Sequence, residues 1–123
     1  MKKLFLFALF LFFTAFLGRA ELEQVVIHNG GGTHDHFEFP AISDMPDAVY
    51  YDSDEMEIII EADGVSQYYD VEIVSDSLNQ TVILTQVSGY GDTIDVSSLP
   101  TGSYIIIFTS QFHNTYEGQF YIQ

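Results

Sequence analysis

From Ala48 to the C-terminus, apolar and polar residues alternate in short runs, and turn-forming residues interrupt them at regular intervals. Tyr69-Asp70-Val71-Glu72-Ile73 shows the rhythm most plainly, with apolar and acidic residues taking turns. Successive side chains of a strand point to opposite faces, so this run predicts a strand with one dry face and one wet face. Runs of the same kind cover Ala48–Tyr51, Met56–Glu61, Thr81–Val87 and Thr93–Val96, the last with Ile94 and Val96 inward. Tyr104–Phe108 is apolar throughout and predicts a central strand covered on both faces, and Gly118–Ile122 closes the series. Asp63-Gly64, Asp76–Asn79, Ser88–Gly91, Leu99–Gly102 and Gln111–Asn114 supply the breaks. No apolar period of 3.6 residues occurs in this part of the chain. The pattern predicts an all-β fold, an antiparallel β-sandwich of about seven strands spanning 48–123.

The first 47 residues follow other rules. Lys2 and Lys3 precede an apolar run from Leu4 to Leu17, and Gly18-Arg19-Ala20 ends it. A charged start, an apolar middle and small residues at the exit predict a secretory signal peptide over 1–20, cleaved after Ala20. The run is shorter than the roughly 20 apolar residues of a spanning helix. Segment 21–47 reads as one edge strand over Gln24–His28 followed by a linker rich in Gly and His. Phe37 and Phe39 stand ready to dock on the sandwich there, and Pro40 bars further strand. The expected location is secreted or periplasmic, with no membrane insertion after cleavage.

Charge sharpens this picture. The chain holds 3 basic and 18 acidic residues, for a formal net charge of −15. All three basic residues, Lys2, Lys3 and Arg19, lie in the predicted signal peptide. The exported part therefore carries no Lys or Arg. Nucleic acid is excluded as a partner, because its phosphates are repelled. Crowded carboxylates without cations are expected to titrate above their ordinary range and to gain from added salt. The sequence also has no cysteine, so neither a disulfide nor a lipid-modified cysteine is open to it.

Leu99-Pro100-Thr101-Gly102-Ser103-Tyr104 has the form of a tyrosine corner, in which a phenol bonds backbone a few residues upstream and pins the turn. Leu99, Pro100, Gly102 and Tyr104 are accordingly structural residues. Together with Asn29–Gly32, Val49-Tyr50-Tyr51, Asp95–Ser98 and Gly118–Ile122, this stretch resembles a family of short secreted bacterial proteins with an immunoglobulin-like fold and no characterised function. That resemblance implies an immunoglobulin-like sandwich and implies no activity. The segment is also similar to C-terminal sorting domains of the type IX secretion system, where Leu-Pro-x-Gly-x-Tyr precedes a strand.

Three groups of residues are candidates for chemistry. Asp52, Asp54 and Glu55 place carboxylates at alternating and adjacent loop positions, the hard oxygen donors that calcium takes, although the glycine of an EF-hand loop is absent. A solvated acidic turn is the plainer reading. His34 and His36 lie on one side of an extended chain and could chelate zinc or copper, yet the neighbouring glycines offer no support for a metal site. In Tyr50-Tyr51 and Tyr68-Tyr69, one ring of each pair must face outward, where it could meet a protein or a glycan. No serine, cysteine or histidine motif of a known nucleophile occurs, and the expectation is a non-enzymatic protein. The readings are thus an extracytoplasmic binding or interaction module without a cofactor, an acidic calcium- or transition-metal-binding protein, or a secretion and sorting domain.

Overall fold

The computed structural model describes residues 22–29 and 43–123. The signal segment and most of the Gly/His linker, including His34, His36, Phe37 and Phe39, lie outside the described residues.

Nine strands occur among them and no helix: β1 (Leu22–Gln24), β2 (His28–Asn29), β3 (Ala48–Asp52), β4 (Glu57–Glu61), β5 (Tyr68–Ser75), β6 (Gln80–Ser88), β7 (Asp92–Asp95), β8 (Gly102–Ser110) and β9 (Thr115–Ile122). The strands from β3 to β9 are those expected from the alternation. They form two antiparallel sheets, one ordered β1-β3-β4-β7 and the other β2-β9-β8-β5-β6. Consecutive strands that switch from one sheet to the other give the immunoglobulin-like sandwich.

Alternation decides which faces meet. Val49, Tyr51, Ile58, Ile60, Ile94 and Val96 point inward from the smaller sheet, against Tyr69, Val71, Ile73, Tyr104, Ile106, Phe108, Phe120 and Ile122 from the larger. Phe120 joins the layers: its ring centroid lies 5.6 Å from that of Tyr104 in its own sheet and 5.8 Å from that of Tyr51 in the other. A one-residue slip of β5 would replace Tyr69, Val71 and Ile73 by Asp70, Glu72 and Val74. Burial of each such side chain is worth about 2 kcal/mol, so the slip would forfeit much of a small domain's stability.

Two expectations need correction. β8 is central within its sheet but is covered on one face only: Tyr104, Ile106 and Phe108 are buried, whereas Ile105 and Ile107 are half-exposed on the outer face. An unbroken apolar run signals a buried strand only when a layer lies on both sides, and this sheet has one. Segment 24–28 is not a single edge strand either. Leu22–Gln24 pairs with β3 of one sheet, and His28–Asn29 pairs with β9 of the other. Between them the chain crosses the open side of the sandwich and buries Val25, whose N–H donates to the Val49 carbonyl at 2.8 Å. Gly118 makes room for this crossing. A Cβ there would stand 2.6 Å from Ile27 Cδ1 and 2.7 Å from the Val26 oxygen.

Candidate functional site

The register brings the β4–β5, β6–β7 and β8–β9 loops to one end of the sandwich, since Tyr68 pairs with Ser88 and Tyr69 with Ser110. The chain enters β3 at this end through residues 43–47. Asn29 also lies here, opposite Tyr116. Asn29 and Ser43, the described residues on either side of the linker, therefore both lie at this end.

Each loop begins with ordinary local chemistry. Asp63 Oδ1 accepts the Val65 N–H at 3.2 Å, and Gly64 turns the chain at a φ of 86°. Ser88 Oγ accepts the Tyr90 N–H at 3.1 Å, and Gly91 turns at a φ of 120°. Ser110 Oγ accepts N–H groups from Phe112 and Asn114 at 3.2 and 3.3 Å.

The loops are then tied to one another. Gly64 N–H donates to the Gly89 carbonyl, and Gly89 N–H donates to the Gln67 carbonyl, both at 2.8 Å. Gln67 N–H donates to Gln111 Oε1 at 2.5 Å, while Gln111 N–H donates to the buried Ser66 Oγ at 3.0 Å. At Gly89 the approach is so close that a Cβ would stand 1.6 Å from the Ser66 carbonyl oxygen.

Beneath the loops lies Asp44, 1% exposed. Its carboxylate accepts from the Tyr116 hydroxyl and from Asn114 Nδ2 at 3.2 and 3.3 Å. Its backbone carbonyl accepts the Tyr69 hydroxyl at 2.6 Å. A buried carboxylate normally needs a cation, but here neutral donors serve it. Burial and then the Asp44 charge push the Tyr69 phenol up to about 12 from its ordinary 10.0. Burial and the hydrogen bond to Asp44 push Tyr116 further in the same direction. Among the described residues no buried side-chain nitrogen or oxygen lacks a partner.

On this tied platform stand three exposed rings, Tyr90 (71% exposed), Phe112 (57%) and Tyr68 (36%). The Tyr90 ring rests on Gly64, where a Cβ would meet its Cε1 at 2.3 Å. As expected, the paired tyrosines split between faces: Tyr51 and Tyr69 are buried, Tyr68 is exposed and Tyr50 is half-buried. Tyr90 and Phe112 escaped the sequence reading, although Gly89-Tyr90-Gly91 carried a signal. An aromatic residue flanked by glycines in a turn has no strand face to pack on. Asp44 carried no such signal.

The remaining candidates lie elsewhere. Asp52, Asp54 and Glu55 occupy the β3–β4 turn at the opposite end, where Asp52 Oδ1 accepts the N–H groups of Asp54 and Glu55 at 3.0 and 3.2 Å. Among the described residues no three His, Cys, Asp or Glu side chains converge to hold a metal ion. Against the expectation of crowded carboxylates titrating high, side-chain and backbone hydrogen bonds from Ser97 hold Asp95 below its ordinary range. The tyrosine corner is present, with the Tyr104 hydroxyl donating to the Pro100 carbonyl at 2.5 Å. Gly102 has a φ of 153°, and Leu99 packs on the core.

No family model matches the chain, and no curated protein sequence does. Among solved structures it is similar to a DUF3244 family protein with an immunoglobulin-like β-sandwich fold from Bacteroides vulgatus ATCC 8482, at a TM-score of 0.64 and 12% identity, over 83% of this chain and 99% of that one. The likeness agrees with the uncharacterised immunoglobulin-like family suggested by the sequence motifs, and at this identity it establishes the fold.

Proposed function

We propose that this protein is an extracytoplasmic binding module that recognises a protein or glycan ligand through the loop end of its sandwich. The observation that carries this reading is the exposed rings of Tyr90 and Phe112 on loops braced against one another, with exposed Tyr68 at the start of β5 at the same end. Aromatic side chains offer large contact area at low entropic cost, and a braced loop loses little freedom on binding. Tyrosine also stacks on a sugar ring or fills a protein pocket while its hydroxyl keeps a polar contact. The signal-like first 20 residues support a location outside the cytoplasm.

Glycan and peptide arrays probed with the protein and with a Tyr90→Ser/Phe112→Ser variant test the reading. The expected result is a ligand bound by the wild type and lost by the variant at an unchanged melting temperature. Ligands held equally well by both proteins, or turnover of the bound molecule, would overturn it.

A further inference from the structure

The larger sheet ends in β6, and no described strand lies beyond it. An edge strand leaves alternate N–H and C=O groups without sheet partners, and proteins blunt such edges by shortness, charge or proline. The other described edges follow that rule. β1 has 3 residues including Glu23, β2 has 2 residues, and β7 has 4 residues including Asp92 and Asp95. In contrast, β6 runs for 9 residues, Gln-Thr-Val-Ile-Leu-Thr-Gln-Val-Ser, with no charge, proline or glycine. Leu84 at its middle is 76% exposed. Its single irregularity is the register shift opposite Ile73 and Val74, which leaves Val82 as the extra residue.

Acidic groups lie just behind this neutral edge. Asp70 and Glu72 on β5 are drawn toward β6, by Gln86 Nε2 donating to Asp70 at 3.0 Å and by the Thr81 hydroxyl donating to Glu72. A strand added to β6 would lie two strand spacings from β5, about 10 Å, within reach of a lysine or arginine side chain. The described residues of a second copy bring no such cation, since none of them is Lys or Arg.

We propose that β6 is a strand-addition site for an extended segment of a partner protein in which aliphatic and basic residues alternate. Backbone pairing supplies the affinity. The Asp70–Glu72 pair selects basic residues on the outer face, where their stems can lie on Leu84, and Ile83 and Val87 on the opposite face of β6 select the aliphatic ones. This surface is separate from the loop end and does not depend on the reading given for it.

The probe is a blocked peptide of alternating Lys and Val, the length of β6, titrated into the isotope-labelled protein, with a Glu/Val peptide as control. The Lys/Val peptide is expected to bind saturably, to shift and protect the amides of residues 80–88, and to weaken with added salt. Leu84→Pro and Thr85→Pro remove adjacent N–H groups that point to opposite sides, so one of them spares the pairing with β5. The variant that keeps the wild-type melting temperature should lose binding by about tenfold or more, the scale of a blocked pairing edge. Shifts spread evenly over the acidic surface would overturn the proposal. So would equal binding by that variant or by the Glu/Val peptide, or amides over 80–88 already protected in the protein alone, as a second copy or another segment of the chain on this edge would produce.

Discussion

At the end of the sandwich that carries the β3–β4, β5–β6 and β7–β8 turns, side-chain caps bond close to home, while backbone bonds join the turns, Val96 N–H to the Met56 carbonyl and Asp76 N–H to the Ser103 carbonyl, both at 3.0 Å. Asp52 caps the N–H groups of Asp54 and Glu55, Ser75 Oγ accepts the Leu78 N–H at 3.3 Å, and Asp95 accepts the Ser97 N–H at 2.9 Å. Even the tyrosine corner spans only four residues, from Tyr104 to Pro100. At the opposite end the partners come from afar. Gln67 and Gln111 are 44 residues apart, Asn114 and Asp44 are 70 apart, and Tyr116 and Asp44 are 72 apart. Side-chain caps held locally can be changed one by one without disturbing the backbone bonds between these turns. Loops held by each other stand or fall together, and this lets Tyr90 and Phe112 keep a fixed geometry without a strand beneath them.

That contrast can be broken by substitution. Gly89→Ala should cost most, about 3 kcal/mol, because its methyl group would collide with the Ser66 backbone where two loops meet. Urea denaturation measures the loss, and one below about 1 kcal/mol would show that the loops yield separately. Asp44→Ala should follow at about 2 kcal/mol, since it strips the Tyr116 hydroxyl and Asn114 amide of their buried acceptor. Its counterpart at the other end, Asp52→Ala, removes only a solvent-side cap and should cost about 0.5 kcal/mol.

Alkaline titration sharpens the comparison further. Tyr69 has a folded-state value near 12 against 10.0 when free, so the unfolded chain releases this proton first. The stability it contributes is complete below pH 10 and drains away as pH rises toward 12. Tyr116 is displaced in the same direction and adds to the effect. Melting temperature should therefore fall steeply across that window. In Tyr69→Phe the slope should be shallower, and an unchanged slope would remove the Asp44 cluster from the account. Tyr104→Phe should cost about 1 kcal/mol in stability and leave the loop-end amides unshifted in a nuclear magnetic resonance spectrum.

Much of the fold was legible because a strand's period of two is written in neighbouring residues. Tyr69–Ile73 announced both its conformation and its buried face. Leu99–Tyr104 announced its corner, since Pro, Gly and Tyr act there over a few bonds. Tyr104–Phe108 misled for the same reason: its run of apolar residues says that the strand is central but cannot say how many layers cover it. The candidate site was barely legible. Asp44 sits between Ser43 and Met45 with no local partner, and its hydrogen-bond donors arrive only when β9 folds beside it.

The amino-acid order alone determined which segments are strands, which faces are apolar, where the tyrosine corner forms and how negative the surface is. Each depends on contacts within a few residues or on a simple sum of charges. Tertiary structure decided the rest: that Val25 crosses between sheets over Gly118, that Asp44 is buried among neutral donors, that Tyr68, Tyr90 and Phe112 lie exposed at one end of the sandwich, and that an uncharged strand lies at an edge rather than inside. Those facts arise from which strands become neighbours, and that choice belongs to the packing of the whole chain.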